Sequence, residues 1–259
     1  MSEPADDRRE RGLWWDKAWT LVEGCTRCSA GCKDCWALAL EKRTGRGVEG
    51  GGIKLRWDRL DDPLHWRKPR VIAVWNDLFH EEVSGQFIFD AVTKMSIARA
   101  HRFIVLTKRA RRARELFGYV NYRNVILGVT CESDDYLWRV EELVQTPAAC
   151  RFVNAHLVGP LDLRRFLTCG CCPPATNPND INWLAIECNR PFRGDPAVWW
   201  GWCESLVAQA KAAGIPRWVK QGPRLTGKGV THDLADFPES CRVREFANIG
   251  GNDDGHSVV

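Results

Sequence analysis

Short apolar runs bounded by polar or turn residues recur through the middle of the chain, with amphipathic stretches of helical period between them. The runs are Arg70–Trp75 (RVIAVW), Arg102–Leu106 (RFIVL), Asn124–Thr130 (NVILGVT), Arg151–Asn154 (RFVN), Ile181–Ile186 (INWLAI) and Pro216–Val219 (PRWV). Rich in β-branched and aromatic residues, they suit strands buried on both faces, as in a parallel sheet. A first strand is expected near Trp19–Val22. The stretch Gly85–Ala100 carries apolar residues at 87, 88, 91, 92, 95 and 98, close to a helical stripe. Ala110–Val120, Asp134–Gln145 and Ala197–Ala213 have similar patterns, and Gly214 follows the last as a helix-ending glycine. Strand and helix in alternation predict an α/β fold of parallel strands with helical crossovers. The number of strands favours a complete or partial TIM-type (β/α) barrel over an open doubly wound sheet.

The segments group into one domain, 13–247, between a polar N-terminal tail (1–12) and a flexible C-terminal tail (248–259). The glycine-rich patch GRGVEGGG (45–52) reads as a flexible connection, and no internal repeat is visible. A length of 259 residues with 44% hydrophobic and 27% charged positions suits a globular chain of this kind. No apolar run approaches the ~18 residues of a membrane span, and the polar N-terminus lacks the apolar core of a signal peptide. The expected location is therefore the cytoplasm. A net charge of +4 permits a phosphate-bearing partner without arguing for one. Thirteen tryptophans are read as core or pocket wall.

Twelve cysteines in a chain without an export signal point to thiols and metal ligands more than to disulfides. Four of them fall in CTRCSAGCKDCW (25–36). Three readings of this loop stand together. Cys25, Cys28, Cys32 and Cys35 form two CxxC pairs, as in a structural zinc knuckle, although only three residues separate the pairs. All four can hold an electron-transfer cluster. Cys28-x3-Cys32-x2-Cys35 is also the spacing of radical S-adenosylmethionine (SAM) enzymes, in which three cysteines leave one iron of a [4Fe–4S] cluster open. The strand-like AWTLVEG before the loop and the helical WALALEKR after it suit this last reading. A second group, Cys169, Cys171 and Cys172, can bind another metal with Cys150 or Cys188, or form an inert thiol loop.

The loop resembles a phage- and bacteria-associated family of radical-SAM-like proteins with a three-cysteine motif: Gly24-Cys25, Ser29, Gly31-Cys32 and Cys35-Trp36-Ala37. The resemblance continues through DLFHE (Asp77–Glu81), LTKR (Leu106–Arg109), GVT-x-E (Gly128–Glu132), LVGP (Leu157–Pro160) and VKQ (Val219–Gln221), across about residues 14–246. It implies Cys25, Cys32 and Cys35 as cluster ligands, with Cys28 as the rival to Cys25. It also implies two cofactors, a [4Fe–4S] cluster and SAM, and an external one-electron reductant. One electron passed to SAM would give methionine and a 5′-deoxyadenosyl radical, which abstracts hydrogen from a substrate. A nucleotide or a hypermodified phage DNA base, rearranged, isomerised or otherwise modified, is the substrate such family context suggests.

Strand-end loops build the active site of any parallel barrel, and the matched motifs fall there. Asn76 and Asp77 are candidates for holding the SAM amino group, Asp77 alternatively capping the helix that enters at Leu78. Thr107 follows the next strand, with Lys108 and Arg109 as candidates for the SAM carboxylate. Thr130 and Glu132 end the one after, Glu132 suited to a ribose hydroxyl. His80 can shuttle a proton or serve as a structural partner, and Lys220 can act on substrate or sit as a strand-end charge. His156 and Glu187 occupy positions where this chain departs from the family pattern, and with Gln221 they are expected to face the substrate. The rival reading is a zinc-stabilised nucleic-acid-binding protein without catalysis; a third is a phosphate-binding barrel enzyme with incidental cysteines.

Overall fold

The apolar runs all become strands. The computed structural model describes residues 5–35, 37, 39–40, 43, 52–117, 122–167 and 181–247. Its strands are β1 Lys17–Thr20, β2 Val22–Glu23, β3 Lys54–Leu55, β4 Val71–Trp75, β5 Arg102–Thr107, β6 Val125–Cys131, β7 Cys150–His156, β8 Trp183–Glu187, β9 Arg217–Pro223 and β10 Val230–Thr231. The fold is mixed α/β with a mostly parallel eight-stranded sheet in the order β1-β4-β5-β6-β7-β8-β9-β10. Pairing is parallel from β1 through β9, and β10 closes the row antiparallel to β9. The order is monotonic, without the reversal that marks the switch point of a doubly wound sheet. Parallel pairing places the C-terminal ends of β1 and β4–β9 along one edge, and this positions the site. The expected first strand is split: β1 joins the sheet, while β2 pairs antiparallel with β3 in a separate ribbon.

Four helices cover one face: α1 Gly85–Ile97, α2 Ala110–Phe117, α3 Leu137–Val144 and α4 Pro196–Ala212. The Ser84 side chain caps α1 by accepting from the Phe87 N–H, and Asp195 caps α4, which starts at Pro196. Gly214, at φ 69°, ends α4 as its sequence predicts. α1 stops three residues short of Ala100. The Asn124 side-chain amide takes the Met95 carbonyl at 2.8 Å and the His101 carbonyl at 3.1 Å, drawing the chain away from helical geometry. The expected helix from Asp134 begins instead as a tight turn, because the Asp134 N–H bonds the Pro160 carbonyl at 3.0 Å.

Alternate strand residues enter two apolar clusters. Phe103, Val105, Val125, Leu127 and Val129 pack with Phe87, Val92, Met95 and Leu206 under the helices. Ile104, Ile126, Phe152, Trp183, Ala185 and Trp218 gather on the opposite face with Trp14. Buried indoles keep their N–H groups bonded: Trp19 to Arg59 O, Trp183 to Glu245 O, Trp200 to Pro223 O and Trp218 to Gly12 O. Part of the stretch expected as a solvated tail is packed. Ala5–Glu10 is helical, and Arg244 donates to the Arg9 and Glu10 carbonyls. Residues 243–245 run along the free edge of β9, with Val219 N–H on Val243 O and Glu245 N–H on Arg217 O, which keeps that edge from pairing elsewhere.

Candidate functional site

The cysteine loop leaves β2 through Gly24, whose φ of 88° lies in the left-handed region and whose Cβ, were one present, would stand 2.2 Å from the Gly52 carbonyl oxygen. It then lies across the ends of β4, β5 and β6. Asn76, also left-handed at φ 61°, donates its side-chain amide to Val22 O at 2.7 Å and so holds β2 beside β4. Farther along, the Ala30 N–H donates to the Tyr136 hydroxyl at 3.0 Å.

Two cations clasp the loop. Lys108 directs its ammonium at Ser29 Oγ (3.0 Å), Cys32 Sγ (3.3 Å) and Glu132 Oε1, and Ser29 in turn donates to Glu132 Oε1 at 2.9 Å. Arg109 bonds Glu81 Oε2 (2.9 Å), Asp77 Oδ2 (3.0 Å), Thr26 O (3.2 Å) and Thr26 Oγ1 (2.9 Å), and reaches Cys25 Sγ at 3.7 Å. Asp77 is the hub beneath. Its Oδ1 accepts from Thr107 Oγ1 (2.6 Å) and Phe79 N (3.1 Å), and its Oδ2 from Lys108 N (3.1 Å) and Arg109. Four donors fill the acceptor positions of a carboxylate. Asp77, Lys108 and Arg109 therefore sit where the motifs predict, but they are committed to holding the loop. Burial works against the charge of Lys108, yet Glu132 and Cys32 more than offset it and raise its pKa. Glu132 is fully buried, with Arg139 Nη1 3.6 Å from Oε2.

Every described cysteine is a free thiol. The hydrogen bond from Cys28 holds Cys32 down to about 3, with Lys108 adding to it and burial opposing. Cys28 is correspondingly raised, and burial pushes Cys25 up to about 11 despite Arg109. Among the described residues no group of three or more His, Cys, Asp or Glu side chains is placed to ligate one metal ion. The donor set nonetheless fits an iron–sulfur cluster. Four soft thiol ligands share one loop, and cations stand against Cys25 and Cys32, where ligated thiolates would need compensation. Cys169, Cys171 and Cys172 lie outside the described residues. Cys150 begins β7 and Cys188 follows β8, so these two stand at opposite ends of the sheet.

His80 is a strut. The Glu82 N–H donates to its Nδ1 at 3.2 Å, which puts the ring proton on Nε2, and Nε2 donates to Thr26 Oγ1 at 2.8 Å. Farther round the edge a second polar group forms. Lys220 pairs with Glu187, Asn154 Nδ2 donates to Glu187 Oε1 at 2.8 Å, and Lys220 Nζ stands over the rings of Trp14 and Trp15 at 5.1 and 5.4 Å. Gln221 donates to Cys188 O at 2.8 Å. Thr130 is buried, its carbonyl held by Arg139 Nη1 at 2.9 Å. His156 lies between the two groups, within reach of the charges of Glu187, Lys108, Glu132 and Lys220. Thr26, Tyr136, Arg139 and Asn154 belong to this site and carry no motif; Asn154 is hidden in an apolar run, and Arg139 in an ordinary helical pattern.

Burial lowers the pKa of His80, His101 and His156 below the ordinary 6.5, with Arg109 reinforcing the shift at His80. The folded chain thus keeps them neutral, while the unfolded chain takes up protons near 6.5. Their contribution to stability is complete above that pH and lost as pH falls below it toward the folded pKa. Urea midpoints should be level between pH 7 and 8 and decline from about 6.5 downward. A midpoint unchanged to pH 5.5 would contradict this.

Between the cysteine loop and the segment after β8 lies a cleft of 280 Å³, lined by Asp34, Leu157, Val158, Asn189, Phe192, Trp199 and Trp202 among others. Asn189 Oδ1 is buried there without a hydrogen-bond partner among the described residues. Residues 11–237 match the model of a family described as "Protein of unknown function (DUF5131)", and the chain belongs to that family. Neither the curated proteins nor the solved structures gave a match. Among the described residues no helix is long and apolar enough to cross a membrane.

Proposed function

We propose that this member of the family is a radical SAM enzyme whose sheet curls into a partial (β/α) barrel. The reading rests on one observation above all: the ends of β5 and β6, some 75 to 105 residues farther along the chain, deliver Lys108, Arg109 and Glu132 to the four-cysteine loop. A monotonic parallel sheet with helices on one face and an aromatic cluster on the other supports the curled form. So does the segment 12–16, which runs from β9, where Trp218 bonds Gly12, to the start of β4 on the other side of the sheet, where Asp16 bonds Val71.

Cys25, Cys32 and Cys35 would hold the [4Fe–4S] cluster, Cys28 being the alternative to Cys25. When bound, the cluster, charged by an external one-electron reductant, supplies the electron that cleaves SAM and starts radical chemistry on a substrate. The chain's own groups prepare the place. Lys108 and Arg109 offset negative charge beside Cys32 and Cys25 and fix the loop on the strand ends. The cleft beside Asp34 offers Phe192 and Trp202 to a flat ring such as adenine, with Asn189 Oδ1 ready to accept from an amino group. His156, Glu187 and Lys220 lie farther along the same edge, and we assign them to the substrate, with a nucleotide or DNA base as the leading class.

Anaerobic purification should yield a brown protein with about four irons per chain. Reduction in the presence of SAM should release 5′-deoxyadenosine, and Cys32→Ala should lose both iron and product. Cys25→Ala and Cys28→Ala distinguish the third ligand by retained iron. A colourless protein that holds zinc through all four thiols, or product unchanged in Cys32→Ala, would overturn the proposal.

A further inference from the structure

Two ion pairs, Lys108–Glu132 and Lys220–Glu187, flank a histidine that engages neither. His156 is half-buried between them, and no described residue hydrogen-bonds to its ring. Two residues earlier on the same face of β7, Asn154 is only 2% exposed. Its Nδ2 donates to Glu187, and its Oδ1 has no partner among the described residues. A carboxylate only accepts, so the amide cannot be turned the other way: the oxygen is the orphan. Buried carbonyl oxygens are seldom left unpaired, and one beside an unengaged imidazole marks a place for an outside donor.

The charges narrow what that donor belongs to. Burial alone would raise the Glu187 carboxyl, but Lys220, His156 and the hydrogen bonds from Lys220 and Asn154 bring it down to about 2, so it is ionised. Each carboxylate has its own cation, and burial keeps His156 neutral. A phosphate or carboxylate ligand would face Glu187, and a cationic one would face Lys220 and Lys108. An uncharged ligand meets neither penalty. Among the described residues Lys220 has a single hydrogen-bond acceptor, Glu187, which leaves ammonium protons for a carbonyl, and His156 offers one donor and one acceptor.

We propose that Asn154, His156 and Lys220 form a binding site for an uncharged planar C(=O)–N–H edge, as in an imide or lactam ring, on the molecule the enzyme acts on. Asn154 Oδ1 takes the ring N–H, and Lys220 or His156 donates to the carbonyl. The site's place in catalysis rests on the radical SAM reading; its chemistry does not. The test is equilibrium binding to the full-length protein without added iron or SAM, using uridine and glutarimide against 3-methyluridine and N-methylglutarimide. Each N–H compound should bind at least about tenfold more tightly than its methylated partner, the effect of denying one buried acceptor its donor. Asn154→Leu should remove that difference. Binding of uridine alone, with the same methyl discrimination, assigns the edge to a nucleoside, and binding of both assigns it to the imide itself. Saturation by neither parent compound, or equal binding of parent and methylated forms to the unaltered protein, would overturn the proposal. Iron content and deoxyadenosine release are read separately, so either result can fail without the other.

Discussion

Glu132→Gln is expected to lower the unfolding free energy by about 3–5 kcal/mol, the range for removing one partner from a buried ion pair. Glu132 is fully buried, and its side chain meets Lys108 at one oxygen and Arg139 at the other, the latter 1% exposed. Glutamine keeps the shape but removes the only carboxylate among the described residues that contacts both cations. Its NH2 group would also face donors whichever way the amide turns, Ser29 and Lys108 at one position or Arg139 at the other. Urea denaturation monitored by tryptophan fluorescence measures the change. Glu141→Gln is the control, because it removes an exposed partner of Arg165 and should cost less than about 1 kcal/mol. A loss below 1 kcal/mol in Glu132→Gln would mean that the carboxylate does not balance the two cations. Removing Lys108 as well should then not matter; if the carboxylate does balance them, Lys108→Met in the same background should recover part of the loss.

How far the sequence could anticipate this site depends on the kind of interaction involved. The strands were legible because β4–β8 are apolar on both faces, and a parallel row then forces their C-terminal loops onto one edge. That is why Asp77, Lys108, Glu132, His156 and Glu187, read from separate motifs, stand together. β3 and β10 were not legible, since two-residue strands carry no period. The partners of each side chain were also hidden. Asp77 and Arg109 looked like open groups for a ligand, but besides the nearby Phe79 N–H, donors and acceptors from residues 26, 81, 107 and 108 fill them, and no local pattern records these distant contacts. Asn154 illustrates the same limit from the other side. Within RFVN it reads as the end of a core strand, and only the pairing of β7 with β8 sets its amide against Glu187.

Gly31→Ala tests whether the loop's position depends on this network, and the expected result is a loop that no longer seats. A Cβ at residue 31 would lie 2.1 Å from Glu132 Oε1 and 2.8 Å from its carboxyl carbon, well inside contact distance. A long side chain elsewhere would swing aside. Glu132 cannot do so cheaply, because Ser29 and Lys108 hold that oxygen and no water reaches the group. The glycine between Ala30 and Cys32 therefore belongs to the motif through close approach of the loop to a buried carboxylate. Alanine should cost about 1–3 kcal/mol, the usual range for overpacking a filled site. It should also expose Cys32, which a timed thiol-labelling reaction would show as faster modification than in the unaltered protein. Shortening the opposing side chain in Gly31→Ala/Glu132→Asp should make room for the added methyl, so the double variant should lose less stability than the sum of its parts. Strict additivity, together with unchanged labelling of Cys32, would mean that the loop is held by something other than its seat on Glu132.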